Sequence, residues 1–120
     1  MIYTSYFAKF SKIPYPLFNN CYAISLFVPR FMQGLNIKHI PELAPTKYIL
    51  NNYKNNNDIK QYTSLFIEKL NILNPKTILS RFNNSVFLCY EAPDKFCHRY
   101  LVKDWLNSYF HETACEELNI

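Results

Sequence analysis

The 120 residues predict a small α/β domain, a three-layer, Rossmann-like arrangement on a mainly parallel sheet. Three observations carry this reading. Short apolar segments rich in β-branched and aromatic residues occur at 2–7, 21–28 and 85–91. Segments of helical spacing alternate with them, from Asp58 onward and again around Leu101 to Tyr109. Residues 21–28 are apolar almost without a break, the pattern of a strand covered on both faces.

A chain of this length folds as one domain, 1–120, and buries roughly two-thirds of its unfolded surface. The composition, 49% hydrophobic and 18% charged, excludes a disordered chain. No apolar run approaches the roughly 18 residues of a spanning helix, so no membrane partner is expected. The opening Met1-Ile2-Tyr3-Thr4-Ser5 lacks the basic-then-apolar form of a secretion signal, which predicts a cytoplasmic protein. Gly34 is the only glycine, which excludes the glycine-rich loops that cradle phosphates through backbone amides. The four cysteines, at 21, 89, 97 and 115, contain no CxxC pair, and four free thiols are expected in a reducing compartment.

The elements follow in order. Residues 2–7 form a first strand, and 9–20, with Pro14 and Pro16, a loop. Residues 21–28 form the second strand, ended by Pro29, and Arg30-Phe31-Met32-Gln33-Gly34 makes a loop at its carboxyl end. Pro41 and Pro45 forbid a regular helix over 40–46, and the asparagine-rich stretch 51–57 reads as a loop. Tyr62, Leu65, Phe66, Leu70 and Leu73 mark one helix face, with Asp58 as its N-terminal cap. Asn74-Pro75 opens a second helix running to Phe82. Residues 85–91 form the third strand, and Leu101, Val102, Trp105, Leu106 and Tyr109 define a closing helix. The tail, 111–120, is expected to be peripheral.

Chemistry concentrates in Cys89-Tyr90-Glu91-Ala92-Pro93-Asp94-Lys95-Phe96-Cys97-His98-Arg99. Cys89 and Glu91 share a face of the strand, Pro93 breaks it, and Asp94 caps a helix whose first turn holds Cys97, His98 and Arg99. In an open α/β sheet the carboxyl edge is where ligands sit. A helix N-terminus favours thiolate over thiol, and Glu91 there is either a general base or the ion-pair partner of Arg99. Packing and capping account for the same residues equally well. No metal site is expected from Cys89, Cys97, His98 and His111, because neighbouring side chains on a helix diverge.

At these residues the chain resembles the bacterial and phage proteins grouped as domain of unknown function 488 (DUF488). The resemblance rests on Val86-Phe87-Leu88-Cys89-Tyr90-Glu91, then Cys97-His98-Arg99, then Leu101-Val102 and Trp105-Leu106. The first strand, Ile24-Ser25-Leu26, Pro29-Arg30-Phe31 and Leu43-Ala44-Pro45 are similar to short members, so the likeness extends to about Asn107. Larger members carry Asp-x-Arg after the second strand, where this chain reads Phe27-Val28-Pro29-Arg30 without the Asp. The resemblance implies an α/β fold and a common site at Glu91, Cys97, His98 and Arg99; it supplies no reaction.

The favoured function is an enzyme or ligand-binding domain for a small anionic or nucleotide-like molecule. Glu91, Cys97 and His98 are the candidate catalytic residues, and Arg99, Arg30 and Cys89 the candidate binding residues. The competing reading is a nucleic-acid accessory module. Up to Lys103, thirteen Lys and Arg face five Asp and Glu, a balance of +8, and the last 17 residues carry −4. Tyr48, Tyr53 and Tyr62 are its candidate base-stacking residues. A third is a phage or host interaction protein without catalysis. No cofactor and no oligomeric state is assigned.

Overall fold

The computed structural model describes residues 1–120 and contains one five-stranded, wholly parallel sheet. In chain order the strands are β1 (Ile2–Tyr6), β2 (Cys21–Ala23), β3 (Ile37–His39), β4 (Val86–Cys89) and β5 (Cys115–Glu117). The helices are α1 (Lys47–Asn56), α2 (Ile59–Leu70), α3 (Pro75–Phe82) and α4 (His98–Asn107). Across the sheet the order is β3-β2-β4-β1-β5. Central β4 is buried throughout, with Val86 opposite both Tyr3 of β1 and Cys21 of β2. The chain is therefore the small α/β domain that its apolar patterning predicts.

Two faces of the sheet are covered differently. Links β1–β2 and β2–β3 step one way along the sheet through 3-10 turns, and pack Phe7, Phe10, Ile13 and Met32 with Val86 and Leu88. Links β3–β4 and β4–β5 step back, and their four helices pack Phe66, Leu70, Val102 and Leu106 with Phe87 and Cys89 on the other face. Right-handed crossovers require this opposition of direction and face. Alternate residues of β4 serve alternate faces, as the pleat dictates. Chains leaving β2 and β4 thus part to opposite sides, which makes the carboxyl edge between them a topological switch point.

Local chemistry sets the helix starts. Asp58 Oδ1 accepts from the Gln61 N–H at 3.0 Å, and Asn74 Oδ1 from the Lys76 N–H at 2.9 Å, with Pro75 in the first turn of α3. Three expectations need correction, and one strand went unmarked. The second strand stops at Ala23, because after Ile24 N–H bonds the Leu88 carbonyl the Ser25 hydroxyl closes a turn on the Phe27 carbonyl. The stretch 51–57 is mostly helix: Thr46 caps α1, Asn57 ends it at φ 51°, and packing of Ile49, Leu50 and Tyr53 overrides weak asparagine propensity. Three-residue β3 forms at the sheet edge, where neither length nor patterning marks it. The tail supplies β5, paired with β1, and Cys115 is wholly buried. Asn107 secures that strand, its Oδ1 accepting from the N–H groups of Ala114 and Cys115 and its Nδ2 donating to the Cys115 carbonyl. No helix is long and apolar enough to cross a membrane.

Candidate functional site

A pocket of about 210 Å³ opens at the switch point. Ser25, Leu26 and Phe27 reach it from the end of β2, Tyr90 and Glu91 from the end of β4, and Cys97 and His98 from the start of α4. Its remaining wall is Pro45 and Leu50 with three aromatic rings, Tyr53, Tyr62 and Phe96. Tyr53 and Tyr62 meet at 73° with centroids 5.5 Å apart, and Tyr62 meets Phe96 at 85° and 5.0 Å. Edge-to-face packing of this kind holds the rings in fixed orientations. Tyr53 and Tyr62 are thereby turned to the pocket; Tyr48 alone of the three candidate stacking tyrosines is well exposed, at 66%.

The loop after β4 turns back with the Lys95 N–H on the Ala92 carbonyl, and α4 starts one residue later than its sequence suggests. Cys97, not Asp94, occupies the N-cap position, with extended backbone (φ −149°, ψ 140°). Its side chain therefore does not diverge from that of His98 by a helical step: Cys97 Sγ and His98 Nδ1 lie 4.0 Å apart. Cys89 and Cys97 are joined as a disulfide, which corrects the expectation of four free thiols. Convergence of two non-adjacent chain segments brings those sulfurs together, and no local spacing rule reveals it. Cys21 and Cys115 are free and buried, and burial pushes both thiols up to about 12. One donor atom each from Cys89, Cys97 and His98 lies within 4.8 Å of the others.

His98 is buried against Phe66, whose ring meets it edge-on at 5.4 Å. Burial first of all, aided by the charges of Arg99 and Lys69, pushes its pKa down to about 4, against the opposing hydrogen bond to Ile24. The imidazole is neutral at pH 7. With Nε2 donating to the Ile24 carbonyl, the lone pair is on Nδ1, on the Cys97 side.

Arg99 is turned away from the pocket. Fully buried, its Nε donates to both Glu117 oxygens, at 3.0 and 3.2 Å, and its Nη2 to Glu117 Oε2 at 2.9 Å and to the Tyr100 hydroxyl at 2.8 Å. Nη1 donates to the Glu91 backbone carbonyl and to Cys89 Sγ, the latter at 3.3 Å. A guanidinium so committed holds the site together instead of meeting an anion. Glu91 gives Arg99 its carbonyl rather than its carboxylate, and it is the only acidic or basic residue among those lining the pocket apart from neutral His98. Arg30 is exposed and outside that lining, and Cys89 lies beneath it in the core. Of the residues singled out in the sequence, the structure places Glu91, Cys97 and His98 at one pocket, leaves Arg30 outside it, and turns Arg99 to Glu117.

Glu117 and Phe96 escaped the sequence reading. A signal for Glu117 existed: a buried arginine demands a carboxylate, and the tail is rich in them. Tyr53 and Tyr62 were already candidate stacking residues, but nothing marked Phe96, because 21 aromatic residues in one chain conceal which ones converge.

A family model, DUF488-N3a, described as the active DUF488-N3 subclade, matches residues 25–110. No curated protein and no solved structure matches the chain. The matched span contains every residue lining the pocket, from Ser25 to His98, and excludes Glu117. With the Cys-x-Glu strand end and the Cys-His-Arg helix start both inside that span, the chain belongs to the DUF488 family.

Proposed function

We propose that this chain is an enzyme domain acting on a small, ring-bearing, nucleotide-like molecule, seated between the aromatic walls of the switch-point pocket. The observation that carries the reading is the meeting of Glu91, Cys97 and His98 at one pocket that Tyr53, Tyr62, Phe96 and Phe27 also line, beside the aliphatic Leu26, Pro45 and Leu50. Aromatic walls favour a flat ring, whereas an isolated phosphate finds no cation among the lining residues. The ring therefore supplies the affinity, and any charged substituent points to the mouth. Glu91 accepts a hydrogen bond or a proton from the ring edge, and neutral His98 lines the same pocket beside Cys97.

A thermal-shift panel of nucleobases, nucleosides, nucleotides and inorganic phosphate, run under reducing conditions, tests this. A ligand at about one hundred times its dissociation constant adds about 2.7 kcal/mol of stability, several degrees in melting temperature. The shift is expected for the ring-bearing compounds, to fall in Tyr53→Ala and Glu91→Gln, and to persist in Lys12→Ala. A shift given equally by phosphate, or unaltered by both pocket variants, would sink the reading.

A further inference from the structure

The geometry points to a zinc-type metal site made by Cys89 Sγ, Cys97 Sγ and His98 Nδ1 in the reduced protein, with its fourth position open to the pocket. It deepens the proposed function, resting on it only for what the open position faces. Donor proximity, outer hydrogen bonds and charge balance lead there. The three donor atoms lie within 4.8 Å of one another, and ligands around one tetrahedral ion sit about 3.3–3.8 Å apart, so side-chain rotation after reduction completes the set. Cys89 and Cys97 form the disulfide of the oxidised chain, with Cα atoms 7.6 Å apart, and reduction frees both sulfurs to turn towards one ion. An ion about 2.3 Å from each sulfur suits that span.

The outer partners fit as well. His98 Nε2–H donates to the Ile24 carbonyl, the arrangement that fixes a metal-binding imidazole in the correct tautomer. Arg99 Nη1–H reaches Cys89 Sγ at 3.3 Å, the usual hydrogen bond to a ligating thiolate. Charge also balances. A divalent cation neutralises two thiolates, and Glu117 neutralises Arg99, so the buried cluster carries no net charge. Two thiolates and an imidazole select a borderline-soft ion such as zinc over magnesium or calcium.

The chemistry closes without a missing reagent. A phosphine or thiol reductant gives two electrons, and two protons complete the conversion of the disulfide to two thiols. Binding of Zn²⁺ then displaces those two protons and leaves the imidazole neutral. Two sulfurs and one nitrogen with an open position make a catalytic rather than a purely structural coordination, and a water held there has its pKa lowered towards neutrality. Glu91, on the same pocket wall, is the carboxylate placed to take that proton.

Cobalt is the probe. Protein reduced with a phosphine and titrated with Co²⁺ should develop the visible bands of tetrahedral cobalt and thiolate-to-cobalt charge-transfer bands. Both should saturate at one ion per chain and disappear on adding Zn²⁺. The double variant Cys89→Ser/Cys97→Ser should abolish the charge-transfer bands, each single variant should weaken them, and Cys115→Ala should keep them. Should a variant fail to fold, the wild-type chain still decides: Zn²⁺ should protect Cys97 from iodoacetamide, and EDTA should restore labelling. Absence of the bands, their survival in the double serine variant, or labelling of Cys97 indifferent to Zn²⁺ overturns the site. Ring-ligand shifts that persist in metal-free protein without cobalt bands defeat the metal and leave the pocket; cobalt bands with no ring-ligand shift do the reverse.

Discussion

Arg99 Nη2 and Glu117 Oε2 meet at 2.9 Å, joining the first turn of α4 to the edge strand β5, with Arg99 wholly buried and the Glu117 side chain 22% exposed. Glu117 also accepts from the Thr4 hydroxyl at 2.6 Å, and the guanidinium lies 4.5 Å from the Tyr100 ring centroid and 5.4 Å from that of Tyr6. A buried pair is worth little against an apolar substitute, but removal of one partner strands the other charge. This relationship ties the tail to the candidate site, since the same guanidinium holds Cys89 and the Glu91 carbonyl.

Glu117→Ala should therefore destabilise the fold by about 3–5 kcal/mol, measured as a lowered urea midpoint. The double variant Arg99→Met/Glu117→Leu should recover much of the loss. A single-variant cost below about 1 kcal/mol, the range of surface pairs, is the contrary result.

His98 makes stability depend on pH in a defined direction. Its folded pKa is depressed from 6.5 to about 4, so between those values the unfolded chain binds the extra proton. The contribution is complete above about pH 6.5, lost as pH falls to about 4, and worth about 3 kcal/mol. Urea midpoints of the reduced protein should fall across that window and flatten in His98→Gln. Equal slopes in both proteins contradict the neutral buried imidazole.

Asn107 makes three hydrogen bonds to the segment entering β5. Asn107→Ala should cost roughly 1–3 kcal/mol, because backbone groups of Ala114 and Cys115 lose their partner. The more direct readout is Cys115, whose buried thiol should react with a maleimide faster in the variant than in the parent. Unchanged labelling would show that β1 alone retains the strand.

Ser5 Oγ is buried in β1 without a hydrogen-bond partner. Ser5→Ala should be neutral or stabilising by up to about 1 kcal/mol, the opposite sign to most buried substitutions. A loss of more than about 1 kcal/mol in the urea midpoint would reveal a bond to this hydroxyl.

Much of this molecule is determined by neighbours in sequence. Asp58 and Asn74 cap helices because their carbonyl-type oxygens reach amides two or three residues away, and β4 declares itself because a strand covered on both faces has no polar face to show. One chain reversal carries Glu91, Cys97 and His98, so their meeting follows from a strand end, Pro93 and a helix start. Tertiary structure decided the remainder. Strands β3 and β5 exist only through the ladders that β2 and β1 offer, since three residues cannot pay for their own ordering. Arg99 turned inward because a carboxylate 18 residues away waits for it, and Cys97 met Cys89 because backbone at the N-cap stayed extended for one residue longer. Burial energy depends on what arrives from elsewhere in the chain, and distance along the sequence conceals that.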